Sequence, residues 1–248
     1  MKINELLDYT GELLQVERFQ DYCPNGLQVE GRGEVRTIVS GVTASMALLE
    51  AAAKAGADMV LVHHGYFWRN EDPRIKGMKR ERLKFLLEHD INLAAYHLPL
   101  DAHAELGNNV QLGKVMDIAV DDMAGEPAII AHGRLEQSMT LEVFGLHIHR
   151  VLNRPPLLVG DMSKELKRIA WCTGAAQSHI EEAIALGVDA FLSGEISEQT
   201  VHQARESGVA FIAAGHHATE RYGVQALGSH LADRFEIQHF FIDIENPV

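Results

Sequence analysis

The feature that most constrains the fold is a pattern of alternating strands and helices that occurs twice along the 248 residues. In each half, short β-branched runs alternate with helical runs, as in domains built from parallel strands and covering helices. When the GAD segment at residues 56–58 is set against the GVD segment at residues 187–189, Ile38 falls opposite Ile169 without a gap. The sequence therefore predicts two similar α/β domains that arose by internal duplication.

The pattern predicts equivalent elements in the two halves. In the first half, we expect strands at residues 35–42, 58–62 and 91–95, and helices at residues 46–55 and 79–89. In the second half, we expect strands at residues 168–172, 189–193 and 209–214, and helices at residues 178–186 and 197–206. Each half thus reads as a βαβαβ unit.

Residues 119–165 separate the two halves and indicate a domain boundary. This segment contains three prolines and several glycines, with short strand-like pieces at residues 128–131 and 140–144. The run at residues 237–244 predicts a last strand that returns to the first sheet. The expected domains are a first α/β domain over residues 1–125, completed by residues 236–248, and a second α/β domain over residues 126–235.

The formal net charge of −13 opposes general binding of DNA or RNA. A phosphate backbone is bound by an excess of Lys and Arg, which this chain lacks. The N-terminal residues carry charges where a signal peptide needs an apolar run, and every apolar run is far shorter than the roughly 20 residues of a membrane span. Because there are only two cysteines, we expect a soluble protein of the reducing cytoplasm, with no membrane partner.

Polar side chains follow the predicted strands at corresponding places in the two halves. His63 and His64 end the second strand of the first half, and Glu195 lies at the matching place in the second half. Each third strand is followed by an imidazole and a carboxylate four residues apart. These pairs are His97 with Asp101 and His216 with Glu220. Open α/β sheets bind ligands at the carboxyl ends of their strands, so we expect these side chains to form a site.

The residue types at these strand ends predict a metal site. If the backbone turns helically, side chains four residues apart lie about 5 to 6 Å from each other on one face. Imidazole combined with carboxylate suits Zn, Fe, Mn or Ni, whereas an all-oxygen set would suit Mg or Ca. Two adjacent histidines after an apolar strand are costly to bury without partners, which favours His63 and His64 as ligands.

Several of these residues keep more than one interpretation. His97 is either a ligand or a neighbour that orients Asp101, and Glu195 is either a catalytic base or a charge at a strand end. We interpret the isolated histidines His132, His147 and His149 as structural, and assign no role to Cys23 and Cys172.

Six cations lie within the eleven residues from Arg74 to Lys84 of this acidic chain. Such a run is usually a solvated helix face. Because it follows the His63-His64 loop closely, an alternative is that some of these side chains receive an anionic or phosphorylated substrate.

The motifs that contain these residues resemble those of one known family, the NIF three-like family, also labelled GTP cyclohydrolase 1 type 2 homologues. The motifs are PNGLQV from Pro24, VHHGYFW from Val62, HLPLDAH from His97, GNN from Gly107 and GHHATER from Gly215. The resemblance extends from about residue 4 to the C-terminus, and the metal positions show no departure from the family pattern.

The resemblance implies a fold, a metal centre and an assembly. In that family a dinuclear metal centre lies between two similar α/β domains, and subunits form a toroidal hexamer. Carried over by motif, His63, His64 and Asp101 are ligands from the first half, and His216 and Glu220 are ligands from the second, with Glu220 bridging. His97 is then a near neighbour. The expected cofactors are two divalent transition-metal ions in each subunit, and the expected partners are a small-molecule substrate and other copies of the chain.

Two functions of different classes fit this pattern. The first is a metal-dependent hydrolase that acts on a nucleotide or related heterocycle, either as a cyclohydrolase or in the hydrolysis of damaged nucleotides, with Glu195 or His97 moving protons. The second is a non-catalytic metal-binding protein, with a regulatory or scaffold role. The family label does not decide between these functions.

Overall fold

The computed structural model describes residues 1–248, and contacts divide the chain into two compact units. The first unit comprises Met1–Leu106 and Gly223–Glu245, and the second comprises Gly107–Tyr222 and Asn246–Val248. The domains expected from the sequence, residues 1–125 with 236–248 and residues 126–235, remain a prediction.

Helices and strands alternate through most of the chain. The strands are β1 (Gly26–Val29), β2 (Thr37–Thr43), β3 (Met59–His64), β4 (Asn92–Ala95), β5 (Ile118–Ala124), β6 (Ile130–Thr140), β7 (Leu157–Val159), β8 (Glu165–Cys172), β9 (Ala190–Ser193), β10 (Ala210–Ala213) and β11 (Gln238–Phe241). The helices are α1 (Ile3–Leu13), α2 (Met46–Lys54), α3 (Gly77–Glu88), α4 (Leu98–Ala102), α5 (Asn108–Val115), α6 (Leu141–Leu152), α7 (Ile180–Ala185), α8 (Glu198–Ser207), α9 (His216–Thr219) and α10 (Arg221–Phe235). No helix is long and apolar enough to cross a membrane.

The first unit contains a five-stranded sheet in the order β1-β4-β3-β2-β11. Strands β4, β3, β2 and β11 are parallel, and only β1 runs antiparallel to its neighbour. The pairing of β11 with β2 confirms the predicted return of the last strand to the first sheet. His64 is the last residue of β3 and His97 follows β4, so both lie at the carboxyl edge of adjacent parallel strands.

The second unit contains a six-stranded sheet in the order β5-β6-β8-β9-β10-β7. The three strands β8, β9 and β10 are parallel. The other pairs are antiparallel: β5 pairs with β6, β6 pairs with β8, and β7 pairs with β10. Because Glu195 follows β9 and His216 follows β10, both side chains start from the carboxyl edge of the parallel strands.

The two parallel cores have the same register and the same anchoring carboxylate. Ile38 pairs with Met59 between β2 and β3, as Ile169 pairs with Ala190 between β8 and β9. At the start of β3, Asp58 Oδ2 accepts the backbone N–H groups of residues 36 and 37, and Asp189 Oδ2 accepts those of residues 167 and 168 at the same place in the second unit. This equivalence supports the internal duplication predicted from the sequence.

Each sheet carries apolar side chains on both faces. In the first unit, Val60 and Val62 pack against helices α2 and α3, whereas Met59 and Leu61 pack against α1 and α10. The alternation explains why β3 is apolar at every position from Met59 to Val62, as strands covered on both faces are. Full burial of each such side chain stabilises the fold by about 1.5–3 kcal/mol.

One predicted strand is a helix. The piece at residues 140–144 reads as extended in sequence, but α6 begins at Leu141, where the Thr140 hydroxyl accepts the N–H of Val143 at 3.3 Å. Phe144 and Ile148 face the core one turn apart, so the 3.6-residue period of the buried positions and the Thr cap outweigh local strand propensity.

Candidate metal centre

His63 is a buried imidazole whose orientation is determined by one backbone carbonyl. It lies at the end of β3, is fully buried, and donates from Nδ1 to the Tyr96 carbonyl at 2.9 Å. In the neutral ring this leaves Nε2 as an acceptor. That nitrogen lies 3.5 Å from Asp101 Oδ1, so two atoms of the first unit that can bind a metal lie side by side.

The separation of these two atoms fits a shared cation. Imidazole nitrogen and carboxylate oxygen bind zinc at about 2.0–2.2 Å, and a tetrahedral angle at the metal then places them about 3.4 Å apart. Both side chains are buried, and a buried carboxylate in proteins is typically paired with a charge or coordinates a metal.

His64 and His97 add two further imidazoles to the first unit. Ligand atoms of His63, His64 and His97 all lie within 4.8 Å of one another. The ring centroid of His97 is 5.0 Å from that of His63 and 5.8 Å from that of His64, and the Trp68 ring meets His97 edge-on at 5.1 Å. The sequence-predicted residues of this unit are therefore brought together at one strand edge.

Asp101 is presented by the short helix α4. The N–H of Asp101 donates to the His97 carbonyl at 3.1 Å, so the backbone between them makes the helical turn predicted from their spacing. The side chain of Asp101 then contacts His63 from the neighbouring strand end. A helical turn at this point, with Pro99 in its first turn, is what places a carboxylate beside an imidazole 38 positions away in the chain.

Asp21 is a functional candidate that the sequence analysis did not identify. Its carboxylate accepts from His97 Nδ1 at 2.7 Å and from the Leu98 N–H at 2.9 Å. Burial alone would raise the pKa of Asp21, but the hydrogen bond and charge of His97, with bonds from Asn25 and Tyr22, lower that pKa to about 2. Asp21 is therefore an ionised acceptor at neutral pH.

The PNGLQV motif supports the same edge of the sheet. The Asn25 side chain accepts the His97 N–H at 2.7 Å, and Gln28 Oε1 accepts the Tyr66 N–H at 2.6 Å. Gln28 Nε2 in turn donates to the Pro24 carbonyl at 2.8 Å. These bonds connect Asn25 and strand β1 to the loops that follow β3 and β4. The motif therefore has a structural role that the sequence alone does not show.

The second unit brings His216, Glu220 and Glu195 together at the ends of its own parallel strands. His216 Nε2 lies 3.1 Å from Glu220 Oε2, and His216 Nδ1 lies 2.7 Å from Glu195 Oε1. Burial alone would lower the pKa of His216, but the hydrogen bonds and charges of Glu220 and Glu195 outweigh it and raise the pKa to about 9. Between two carboxylates the imidazole is thus held as a cation, and binding a metal through Nε2 would require release of that proton.

A glycine makes room for the Glu220 carboxylate. Gly174, just after β8, has a φ of +69°, and a Cβ atom at this position would overlap Glu220 Oε1 and lie 3.2 Å from His216 Nε2. Gly194, just after β9, is similarly close to the backbone of His216. The strand ends of this unit therefore form a cradle that only glycine backbone can line.

The comparison with known proteins identifies the family. The family model described as Duf34/NIF3 (NGG1p interacting factor 3) matches residues 1–247. The chain belongs to the Duf34/NIF3 family. The fold confirms the two similar α/β parts that the resemblance implied.

Similar proteins cover the whole of this Duf34/NIF3 chain. A Pseudomonas aeruginosa protein named GTP cyclohydrolase 1 type 2 homolog is 58% identical over 248 residues, covering 99% of this chain and 98% of its own length. An Escherichia coli protein of the same name is 52% identical and is covered completely. A solved structure described as protein ybgI, of unknown function, has a TM-score of 0.97 at 51% identity, and one from Thermus thermophilus has 0.90 at 32%, each over 100% of both chains.

The histidines that were interpreted as structural lie away from these strand ends in the Duf34/NIF3 fold. His132 lies on β6, His149 lies on α6, and His147 donates from Nε2 to the Met116 carbonyl at 3.2 Å. His217, beside the predicted ligand His216, donates its backbone N–H to the carbonyl of Val248 at 3.0 Å.

The cation run of the Duf34/NIF3 chain is largely paired with its own neighbours. Lys79 contacts Glu71 at 3.1 Å and Lys84 contacts Glu88 at 3.5 Å. Arg74 and Lys76 share Asp72. These contacts favour the solvated helix face over a binding surface for an anionic substrate.

Proposed function

We propose that this protein is a metal-dependent hydrolase that acts on a nucleotide or related heterocycle. His63, His64, Asp101, His216 and Glu220 are the proposed ligands of two divalent transition-metal ions. The observation that carries the proposal is the buried pair of acceptors, His63 Nε2 and Asp101 Oδ1, 3.5 Å apart. Two donor atoms at this separation can bind one cation.

The donor set narrows the identity of the ions. The proposed ligands are imidazoles and carboxylates, which suit Fe, Zn, Mn or Ni better than Mg or Ca. Burial and the charge of Asp21 raise the pKa of Cys23 to about 12, so this cysteine stays a thiol and supplies no thiolate ligand. When bound, the ions supply Lewis-acid activation of water and of the group it attacks.

The protein's own side chains orient the ligands and move protons. The Tyr96 carbonyl directs the Nε2 lone pair of His63 towards Asp101, and Glu195 does the equivalent for His216 by accepting from its Nδ1. The short bond from His216 supports a positioning role for Glu195 instead of the catalytic base considered from the sequence. His97 is the better candidate to accept a proton from substrate or water.

The substrate class rests on the names of the relatives and on the proposed chemistry. Curated relatives at 49–58% identity are named GTP cyclohydrolase 1 type 2 homolog. Hydrolytic opening of a purine ring or hydrolysis of a damaged nucleotide would use the proposed ions in the same way. We propose the cytoplasm as the compartment and a toroidal homohexamer as the assembly, both from the expectations drawn from the sequence.

Metal analysis followed by an activity screen tests this proposal. Metal-free protein is reconstituted separately with Fe, Zn, Mn and Ni, its metal content is measured by mass spectrometry, and turnover of purine and pteridine nucleotides is followed. We expect about two ions per chain in the parent protein and a loss of about one or more in His64→Ala, as expected when a ligand of a two-metal site is removed. The matched control is His147→Ala, which removes an imidazole outside the proposed ligands.

The outcomes separate the two function classes. Metal-dependent turnover that Glu220→Gln abolishes supports the hydrolase. A full metal content without turnover of any nucleotide in the screen would replace the hydrolase with the non-catalytic regulatory or scaffold role. A content below one ion per chain that His64→Ala leaves unchanged would overturn the metal centre itself.

A further inference from the structure

Each unit contains a carboxylate that holds the histidine after its third parallel strand. Asp21 Oδ1 accepts from His97 Nδ1 at 2.7 Å, and Glu195 Oε1 accepts from His216 Nδ1 at 2.7 Å. His97 follows β4, and His216 follows β10. The two carboxylates, however, come from different places in their units, because Asp21 precedes β1 whereas Glu195 follows β9. The two units therefore have the same carboxylate–histidine hydrogen bond, but the carboxylate comes from a different position in each fold.

The environment of Asp21 determines which nitrogen of His97 carries the proton. The carboxylate accepts four hydrogen bonds, and its side chain is only 3% exposed. The donors are the Tyr22 N–H at 2.6 Å, Asn25 Nδ2 at 2.8 Å, His97 Nδ1 at 2.7 Å and the Leu98 N–H at 2.9 Å. An ionised carboxylate can only accept, so the neutral imidazole carries its proton on Nδ1 and keeps a lone pair on Nε2.

Asp21 also caps the helix that presents Asp101. The first helical residue of α4 is Leu98, and the residue before it, His97, gives no side-chain cap. Instead, Asp21 Oδ2 accepts a hydrogen bond from the Leu98 N–H, although the two residues are 77 positions apart in the chain. A cap of this kind is typically worth about 1 kcal/mol.

We propose that Asp21 is a positioning residue that fixes the tautomer of His97 and holds α4, the helix that presents Asp101 to His63. The inference rests on the proposed metal centre and adds to it a residue that lies outside the ligands. Groups that orient the ligands of a metal site commonly change metal affinity by about 10–100-fold when they are removed, and Asp21 acts on the proposed ligand Asp101 through α4.

A separate metal site made by Asp21, Cys23 and His97 is the competing interpretation. Ligand atoms of these three residues lie within 4.8 Å of one another. The oxygens of Asp21 already accept four hydrogen bonds, and burial, together with the charge of that carboxylate, raises the pKa of the Cys23 thiol and keeps it neutral. The group therefore lacks the thiolate and the open oxygen that a metal would need.

The test uses Asp21→Asn, with Asp58→Asn as the matched control. An amide at position 21 has one oxygen in place of two, so either His97 Nδ1 or the Leu98 N–H meets an NH₂ group. Asp58 is a carboxylate of the same unit that also accepts two backbone N–H groups and an Arg32 donor, but it lies at the opposite end of the strands.

The first measurement is the histidine tautomer in metal-free protein, read by long-range ¹H–¹⁵N NMR. We expect His97 of the parent protein and of Asp58→Asn to carry the proton on Nδ1, and Asp21→Asn to show the Nε2-protonated form or a mixture. A parent His97 protonated on Nε2 would overturn the inference, and so would an Asp21→Asn variant in which neither the His97 tautomer nor the Leu98 amide signal changes. Because the parent protein alone can give the first of these results, the test does not depend on whether the variant folds.

The second measurement is metal affinity by competition with a coloured chelator, using Zn, Fe, Mn and Ni separately. We expect Asp21→Asn to weaken binding by about tenfold or more without lowering the number of ions bound at saturation, and Asp58→Asn to leave affinity unchanged. Equal weakening in both variants would show a merely structural role and overturn the proposal. If the parent protein binds no metal, the proposed function fails, while the tautomer result still decides the role of Asp21.

Discussion

At the scale of single residues, Gly174 gives the sharpest prediction for the second unit. Gly174→Ala places a methyl group against the Glu220 carboxylate on a backbone with a φ of +69°. We expect the free energy of unfolding to fall by about 1–2 kcal/mol from the left-handed backbone alone, and the bound metal to fall as well because Glu220 is displaced. Urea titration and metal analysis measure the two effects.

Gly208→Ala is the control that separates backbone strain from displacement. Gly208 has a φ of +73°, yet a Cβ atom there would have nothing within 4 Å. This variant should lose a similar free energy of unfolding and keep the parent metal content. If the two variants retain metal equally, Gly174 does not make room for a ligand.

At the scale of elements, β11 holds a half-buried histidine that makes stability depend on pH. The His239 ring packs against α10 and shares a 2.7 Å hydrogen bond with the Ser40 hydroxyl of β2, and burial lowers the pKa of His239 below its ordinary value. The folded state therefore binds this proton less readily than the unfolded state. Its contribution to stability is complete above the unfolded pKa near 6.5, and it is lost as pH falls towards the folded pKa.

Denaturation midpoints in urea at about pH 7.5 and about pH 5.5, on either side of the ordinary histidine pKa, measure this effect. The raised pKa of His216 stabilises the fold at the acidic pH and opposes this effect, so the prediction concerns the difference between proteins. On acidification, the midpoint of His239→Gln should fall less, or rise more, than that of the parent, because the glutamine side chain does not titrate. Burial also lowers the pKa of His103, which accounts for part of the remaining difference. His89→Gln, at the exposed end of α3, should keep the parent pH dependence, and an equal dependence in all three proteins would contradict the assignment to His239.

At the scale of the whole molecule, metal binding should stabilise the folded chain. An ion that binds only the folded state stabilises it by about 2.7 kcal/mol when its concentration is about 100 times the dissociation constant. For a chain of this length, the melting midpoint should then rise by roughly 5–10 °C. Calorimetry of chelator-treated protein with and without added metal measures the change.

The double variant His63→Ala with His216→Ala removes one proposed ligand from each unit and is the control. Added metal should leave its melting midpoint unchanged. A parent protein whose midpoint is the same with and without metal would contradict the expectation that the folded chain holds the ions through these residues.

Local patterns in the sequence were sufficient to predict the parallel strands, most of their connecting helices and the strand-end donors. The apolar run before His63, the duplicated aspartates Asp58 and Asp189, and the helical spacing from His97 to Asp101 all depend on near neighbours or on the repeat. The helix at residues 141–152 was mistaken in part for a strand, because a short apolar run has no period that separates the two.

The sequence by itself therefore determined the α/β architecture, the duplication and the residue types available to a metal. Only the tertiary structure decided that Asp21 holds His97, that the Tyr96 carbonyl turns His63 towards Asp101, and that Gly174 leaves room for Glu220. The physical reason is the range of the interactions. Periodicity and capping act over a few residues, whereas a hydrogen bond between segments 76 residues apart exists only after the chain has packed.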